Sequence, residues 1–194
     1  QLPAGVFDAI DDSNRVVIIA SSTRDGEEEK VLTAFKRVLE SHPNTVLLLV
    51  PRHPERFDAV ATLVGRMGLR LGRRSKNDLL TEEMQVYLGD SMGEMMSYYR
   101  LASIAFVGGS LVNTGCQNVL EPAAFGIPVV TGPSQFNFAT ICRQLEAESA
   151  LRTVANEKEL ADFLIDLIPD WARQAEMGRR GKALIEDNQD SLPA

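Results

Sequence analysis

Four segments of this 194-residue chain put small, cationic and acidic residues directly after apolar runs, where an open α/β sheet builds its ligand sites. In PRHPERF, Pro51 to Phe57, two prolines fix a turn, and Arg52 and His53 leave the run TVLLLV together. A guanidinium there can donate two parallel hydrogen bonds to a phosphate or carboxylate. Pairing of Glu55 or Arg56 at the surface is the alternative use of these charges, and a hydrogen-bonded structural imidazole is the alternative for His53 as a base. In DSMGEM, Asp90 to Met95, Met92, Gly93 and Glu94 open a helix whose first backbone N–H groups are free, which makes an anion or base-edge site. Asp90 or Ser91 as a cap and Glu94 beside the helix dipole explain the same residues without a ligand.

GGSLVNTGCQNVLEPAAFGIPVV, Gly108 to Val130, is the richest of the four. Gly108, Gly109 and Ser110 let backbone approach a ligand closely, and a glycine-containing turn delivers Asn118, Val119, Leu120 and Glu121 at a helix start. Pro122 falls in the first turn, where a missing N–H does no harm. A carboxylate would be repelled by phosphate, so Glu121 suits neutral hydroxyls such as a ribose diol, and the combination describes a nucleotide. A capping box with Glu121 bonded to backbone remains the other reading. STRDGEE, Ser22 to Glu28, is either a contact for a bound anion or a helix start capped by Thr23 or Asp25.

The elements that must hold these loops follow from hydrophobic spacing. VVIIAS, Val16 to Ser21, is continuously apolar, as in a parallel sheet covered on both faces. Val31, Leu32, Phe35, Val38 and Leu39 form one face of a helix over Glu27 to Leu39. Further strands are expected at Thr45–Pro51, Leu69–Arg74, Val86–Leu88, Ser103–Gly109, Ile127–Thr131 and Leu151–Val154. Helices are expected from Phe57 to about Met67, from about Gly93 to Leu101, from near Asn118 and over Phe136–Glu146, with two more closing the chain. The βαβα order predicts an α/β, Rossmann-like, open and mostly parallel sheet with helices on both faces. Residues 1–15 read as a linker or residual interdomain segment, 16–170 as a Rossmann-like nucleotide-binding domain and 171–194 as a C-terminal helix with a polar tail from Asp187.

With 20 Lys+Arg against 27 Asp+Glu and a net charge of −7, the chain is an unsuitable partner for duplex nucleic acid. Its apolar runs fall short of a membrane span, and QLPAGVFDAI lacks the pattern of a signal peptide, so a soluble fragment is expected. No G-x-G-x-x-G follows the first strand, no P-loop pattern occurs, and no His/Cys/carboxylate cluster has metal-ligand spacing. Cys116 and Cys142 read as small packed thiols in a reducing compartment. Arg66, Arg70, Arg73, Arg74 and Lys76 form a basic stretch, either a solvated face or a patch for an anionic partner.

Strand-PRHPERF, YLGDSMGE and AFVGGSLVNTGCQNVLEPAAFGIPVVTGP with FNF after it together resemble the C-terminal half of the 3-deoxy-D-manno-octulosonic acid (Kdo) transferases, from about Val16 to Val154. The resemblance implies the C-terminal half of a GT-B fold and an enzyme moving Kdo from CMP-Kdo to a lipid A precursor in lipopolysaccharide synthesis, with no metal or other cofactor. By the same resemblance Pro51 and Arg52, then Met92, Gly93 and Glu94, then Asn118, Val119, Leu120 and Glu121 contact the CMP donor, with His53, Gly109 and Ser110 as accessories. It also implies that Arg52 and the helix N-termini stabilise the leaving phosphate. The catalytic base, the membrane anchor and most of the acceptor site belong to an N-terminal domain, so no catalytic residue is expected here and this chain alone should be inactive. The full-length protein would act at the cytoplasmic face of the bacterial inner membrane. Two departures stand out: the family's usual GGHN turn reads Gly115-Cys116-Gln117-Asn118 here, and Arg24 stands where His is usual. A sugar-nucleotide epimerase domain and a non-catalytic nucleotide-binding module are the competing classes.

Overall fold

The computed structural model describes residues 5–7 and 15–191, with side chains through residue 188. Seven strands, β1 (Val17–Thr23), β2 (Val46–Pro51), β3 (Leu71–Arg73), β4 (Val86–Leu88), β5 (Ile104–Val107), β6 (Val129–Thr131) and β7 (Leu151–Thr153), form one sheet in the order β3-β4-β2-β1-β5-β6-β7. Every described pairing is parallel. The helices are α1 (Glu27–Ser41), α2 (Phe57–Arg66), α3 (Met95–Leu101), α4 (Leu120–Ala124), α5 (Ala139–Ala147), α6 (Glu157–Leu167) and α7 (Trp171–Ser191).

The continuous apolar strands divide by alternate residues between two layers, since successive side chains point to opposite faces. Ile18, Ala20, Leu47 and Leu49 pack with Leu32 and Phe35 of α1 and Leu160 and Leu164 of α6. Val17, Ile19, Val46 and Leu48 pack with Tyr98 and Tyr99 of α3. Val107, Val129 and Leu151 pack with Cys116, Ala123, Cys142 and Ile185 in a third cluster. Both thiols are free and buried, as packed thiols should be.

The chain leaves β1 toward β2 and returns to the other side of β1 with β5, so a topological switch point opens beyond the carboxyl ends of these two strands. The loops after β1, β2, β4 and β5 therefore meet at one end of the sheet.

Three expected boundaries move. The helix expected near Gly93 starts at Met95, because Gly93 has φ +76° and Glu94 is the residue before the first helical turn. The helix expected near Asn118 starts at Leu120 and has five residues. The final helix continues to Ser191 through the segment read as a polar tail, since DNQDS contains no glycine or proline to stop it. That helix is part of the same body: Met177 reaches the main core, and Gly178 lies so close to the Gly126 carbonyl that a Cβ would overlap it. Most of the expected linker lies outside the described residues. Within it, Phe7 packs edge-on against Tyr87 with ring centroids 5.0 Å apart, and Val6 O accepts from Leu80 N at 2.9 Å.

Candidate nucleotide site

At the carboxyl end of the sheet a pocket of about 250 Å³ is lined by Ser22, Pro51, Arg52, Met92, Gly93, Glu94, Gln117, Asn118 and Glu121, over a floor that includes Tyr98 and Tyr99. These residues come from the carboxyl ends of β1 and β2, from the loops after β2, β4 and β5, and from the first turn of α4, and they fall within the four segments singled out above. A larger concavity of about 760 Å³ lies at the opposite, amino-terminal end of the sheet, around Ser103, Pro128 and Trp171, away from these loops.

Each wall of the small pocket has a local cause. Pro51 closes β2 opposite Thr23, and Arg52 N donates to Thr23 O at 2.9 Å, tying the first two loops together. The Arg52 side chain is exposed and forms no ion pair among the described residues. In the third loop, buried Asp90 accepts from Arg73 Nε and Ser75 N, each at 2.7 Å, and from Ser75 Oγ at 2.5 Å. Glu94, also buried, accepts from Arg74 Nε at 3.0 Å and Nη2 at 3.4 Å. Ser91 Oγ lies 2.6 Å from Tyr98 Oη, whose pKa burial pushes up to about 12. Neither Asp90 nor Ser91 caps α3: both are committed sideways, which fixes the backbone of Met92 and Gly93 at the rim. The basic stretch is thus partly internal, because Arg73 and Arg74 brace this loop from the sheet edge.

In the fourth loop Asn118 Oδ1 accepts from Leu120 N at 2.9 Å, a side-chain turn just ahead of α4, whose cap position is Val119 and carries no side-chain cap bond. The Glu121 carboxylate bonds to no backbone group among the described residues and faces the pocket, so the capping-box alternative for it falls away. Val119 is buried in the core, and Leu120 turns to a neighbouring apolar concavity with Phe136 and Phe138. Of the four consecutive residues, then, only Asn118 and Glu121 line the pocket.

Gly109 and Ser110 are not open to a ligand. Their N–H groups donate to the buried Glu27 carboxylate at 2.8 and 3.1 Å, and Leu111 N and Arg24 N donate to it at 2.9 and 3.0 Å. Burial pushes the Glu27 pKa above its ordinary value, and the four N–H groups pull it back. Glu27 thereby ties the loop after β1 to the loop after β5 across the switch point. It also replaces the expected caps: the residue before α1 is Gly26 at φ +83°, and neither Thr23 nor Asp25 caps the helix. His53 stands beside the pocket, with Nε2 3.3 Å from Arg24 Nη1. Glu55 does not pair with Arg56, which instead holds buried Glu28 in a fork of 3.0 and 2.8 Å.

Sequence reasoning missed Glu27, Arg73 and Arg74 as the residues that set the rim. The partners through which they join separate loops, Asp90, Glu94 and residues 109–111, lie 17 to 84 residues away, and no local periodicity marks such a pair. Among the described residues no group of three or more His, Cys, Asp or Glu side chains is placed to hold a metal ion, and no helix is long and apolar enough to cross a membrane.

The family model of the glycosyl transferases group 1 matches residues 8–184. A 3-deoxy-D-manno-octulosonic acid transferase of Haemophilus influenzae is 43% identical over 180 residues, which is 92% of this chain and 42% of that protein. Its counterpart in Bordetella pertussis is 36% identical over 176 residues, covering 88% of this chain and 41% of that one. The chain therefore spans about two fifths of the length of these curated relatives. Among solved structures, the C-terminal CMP-Kdo binding domain of WaaA from Acinetobacter baumannii superposes with a TM-score of 0.86 at 33% identity, covering 91% of this chain and 94% of that one. A UDP-N-acetylglucosamine 2-epimerase of Listeria monocytogenes, at TM-score 0.59 and 13% identity, shares the fold alone.

Proposed function

The chain belongs to the group 1 glycosyl transferases and corresponds to the C-terminal domain of the Kdo transferases, and from that premise we propose that it binds CMP-Kdo for transfer of the Kdo unit to a lipid A precursor. The observation that carries this reading is the meeting of Arg52, Gly93, Asn118 and Glu121 around one pocket at the switch point. Arg52 is the one arginine lining that pocket and has no carboxylate partner among the described residues, which suits it to the phosphate of the nucleotide. Glu121, whose carboxylate has no partner among the described residues, suits the ribose hydroxyls. The backbone at Met92 and Gly93, fixed by Asp90 and Glu94, suits the rim of the base or the phosphate.

In the reaction an acceptor hydroxyl attacks the anomeric carbon of Kdo as the bond to the CMP phosphate breaks, and the hydroxyl proton passes to a base. Arg52 meets the charge that builds on the departing phosphate, in place of a metal ion. Helices α3 and α4 have only seven and five residues, so the larger share falls to the guanidinium rather than to helix dipoles. The base, the lipid acceptor site and the membrane attachment at the cytoplasmic face of the inner membrane are assigned to the remainder of a full-length enzyme. This chain then binds donor without turning it over.

Calorimetric titration with CMP and with UDP tests the reading. Saturable binding of CMP with no binding of UDP supports it; equal indifference to both would favour a non-catalytic module.

A further inference from the structure

The arginines that flank the site are matched with carboxylates, with two exceptions. Arg56 is held by Glu28, Arg73 by Asp90 and Asp58, and Arg74 by Glu94. Arg24 and Arg52 form no ion pair among the described residues, although the protein carries a net charge of −7. Arg24 touches instead an imidazole: its Nη1 lies 3.3 Å from His53 Nε2. A guanidinium only donates, so in this contact the imidazole Nε2 is the acceptor. Arg24 Nε is buried with no partner, and so is the hydroxyl of the preceding residue, Thr23. Buried polar atoms without partners are uncommon in folded proteins, and these two follow directly on Ser22, which lines the pocket, so they call for a further partner. The Arg52 N–H to Thr23 O bond joins the two segments at that point; Ser22, before Thr23, and Arg52, before His53, line the pocket.

We propose that Arg24 and His53 form, beside Arg52, the subsite for the carboxylate of the donor's sugar acid. The inference rests on the CMP-Kdo reading above. In a 2-ulosonic acid joined to a nucleotide, the carboxylate and the phosphate oxygen are attached to the same anomeric carbon. A phosphate held by Arg52 therefore carries the second anion to the next residues along the same rim. Arg24 offers a fork that no internal carboxylate occupies, and a carboxylate there gives its buried Nε the acceptor it lacks. Donors whose sugars carry no carboxylate leave that fork unfilled, so the subsite selects for sugar acids and not only for the nucleotide.

The test is calorimetric titration of this chain and its Arg24→Gln and Arg24→Lys variants with CMP and with freshly prepared CMP-Kdo, each variant first checked for an unchanged urea midpoint. The parent should bind CMP-Kdo more tightly than CMP. Arg24→Gln should lose on the order of tenfold or more for CMP-Kdo, the range of one charge-assisted pair, and keep its CMP affinity within about twofold. Arg24→Lys, which keeps the charge without the fork, should fall between. Equal losses for both ligands would assign Arg24 to the phosphate, and no loss for either would remove it from the site; each overturns the proposal while CMP binding stands. A parent that binds neither ligand overturns the nucleotide reading itself.

Discussion

Removal of the Asp90 carboxylate, set against removal of an equally short pair on the surface, measures how firmly the third loop is held. Arg73–Asp90 and Arg37–Asp162 have nearly the same separation, 2.7 and 2.8 Å. In a uniform medium they would be worth the same. Their surroundings differ: the Asp90 side chain is 0% exposed and its arginine 16%, whereas Asp162 and Arg37 are 54% and 42% exposed. The exposed pair is screened and should contribute about 0 to 1 kcal/mol. Asp90 accepts three hydrogen bonds, so Asp90→Ala strands a backbone N–H, a hydroxyl and one edge of a guanidinium. The loss of a partner from a buried pair costs about 3–5 kcal/mol. Arg73 keeps exposed Asp58 at 2.7 Å and water at its outer edge, which places Asp90→Ala at the low end, about 3 kcal/mol. Urea denaturation with an unchanged slope reads the difference directly. Because Asp90 precedes Met92 and Gly93, the same variant should also weaken CMP binding, while Asp162→Ala leaves it intact. Equal midpoint shifts for the two variants, or a shift below about 1 kcal/mol for Asp90→Ala, would refute the argument from burial.

Three further outcomes follow from the same geometry. Glu121→Ala should weaken CMP binding by about 1–3 kcal/mol in calorimetry, the cost of leaving ligand hydroxyls unpaired, with no change in urea midpoint. Gly→Ala changes should have opposite signs at two helical positions in thermal melts: Gly65→Ala, with nothing near the new Cβ, stabilises by about 0.5–1 kcal/mol, whereas Gly178→Ala drives a Cβ into the Gly126 carbonyl and destabilises. Glu27→Gln isolates the charge of the buried carboxyl. Its folded pKa lies above the ordinary value, so wild type holds an advantage below the ordinary carboxylate range and loses it as pH rises through the folded value. The midpoint difference, wild type minus variant, should therefore fall as pH rises above about 4.5, the ordinary value; a rise would contradict it.

Much of the fold was legible because burial on both faces of a parallel sheet forces continuous apolar strands, and VVIIAS, VLLLV and SIAFV carry that pattern plainly. The loops of interest were legible for a related reason: an open sheet leaves only the strands' carboxyl ends for ligands, and each of the four segments follows a strand. The short helices were misplaced at their starts, because Gly93 at positive φ and the Asn118 side-chain turn onto Leu120 N hold out of the helices residues that composition alone assigns to them. Arg73 and Arg74 read as a charged surface because their partners Asp90 and Glu94 lie beyond a polar loop.

The order of apolar runs and the residue types after them thus determined the class of fold and the end of the sheet that carries the site. Only the tertiary structure decided which polar groups are spent inside and which remain for a ligand. Asp90, Glu94 and Glu27 resemble Glu121 as acids in or just after the loops at this end of the sheet, yet the first three are consumed by arginines or by backbone N–H groups, while Glu121 is left facing the pocket. Hydrogen-bond partnership is settled by distances of about 3 Å between segments tens of residues apart, and no local pattern in a sequence encodes that.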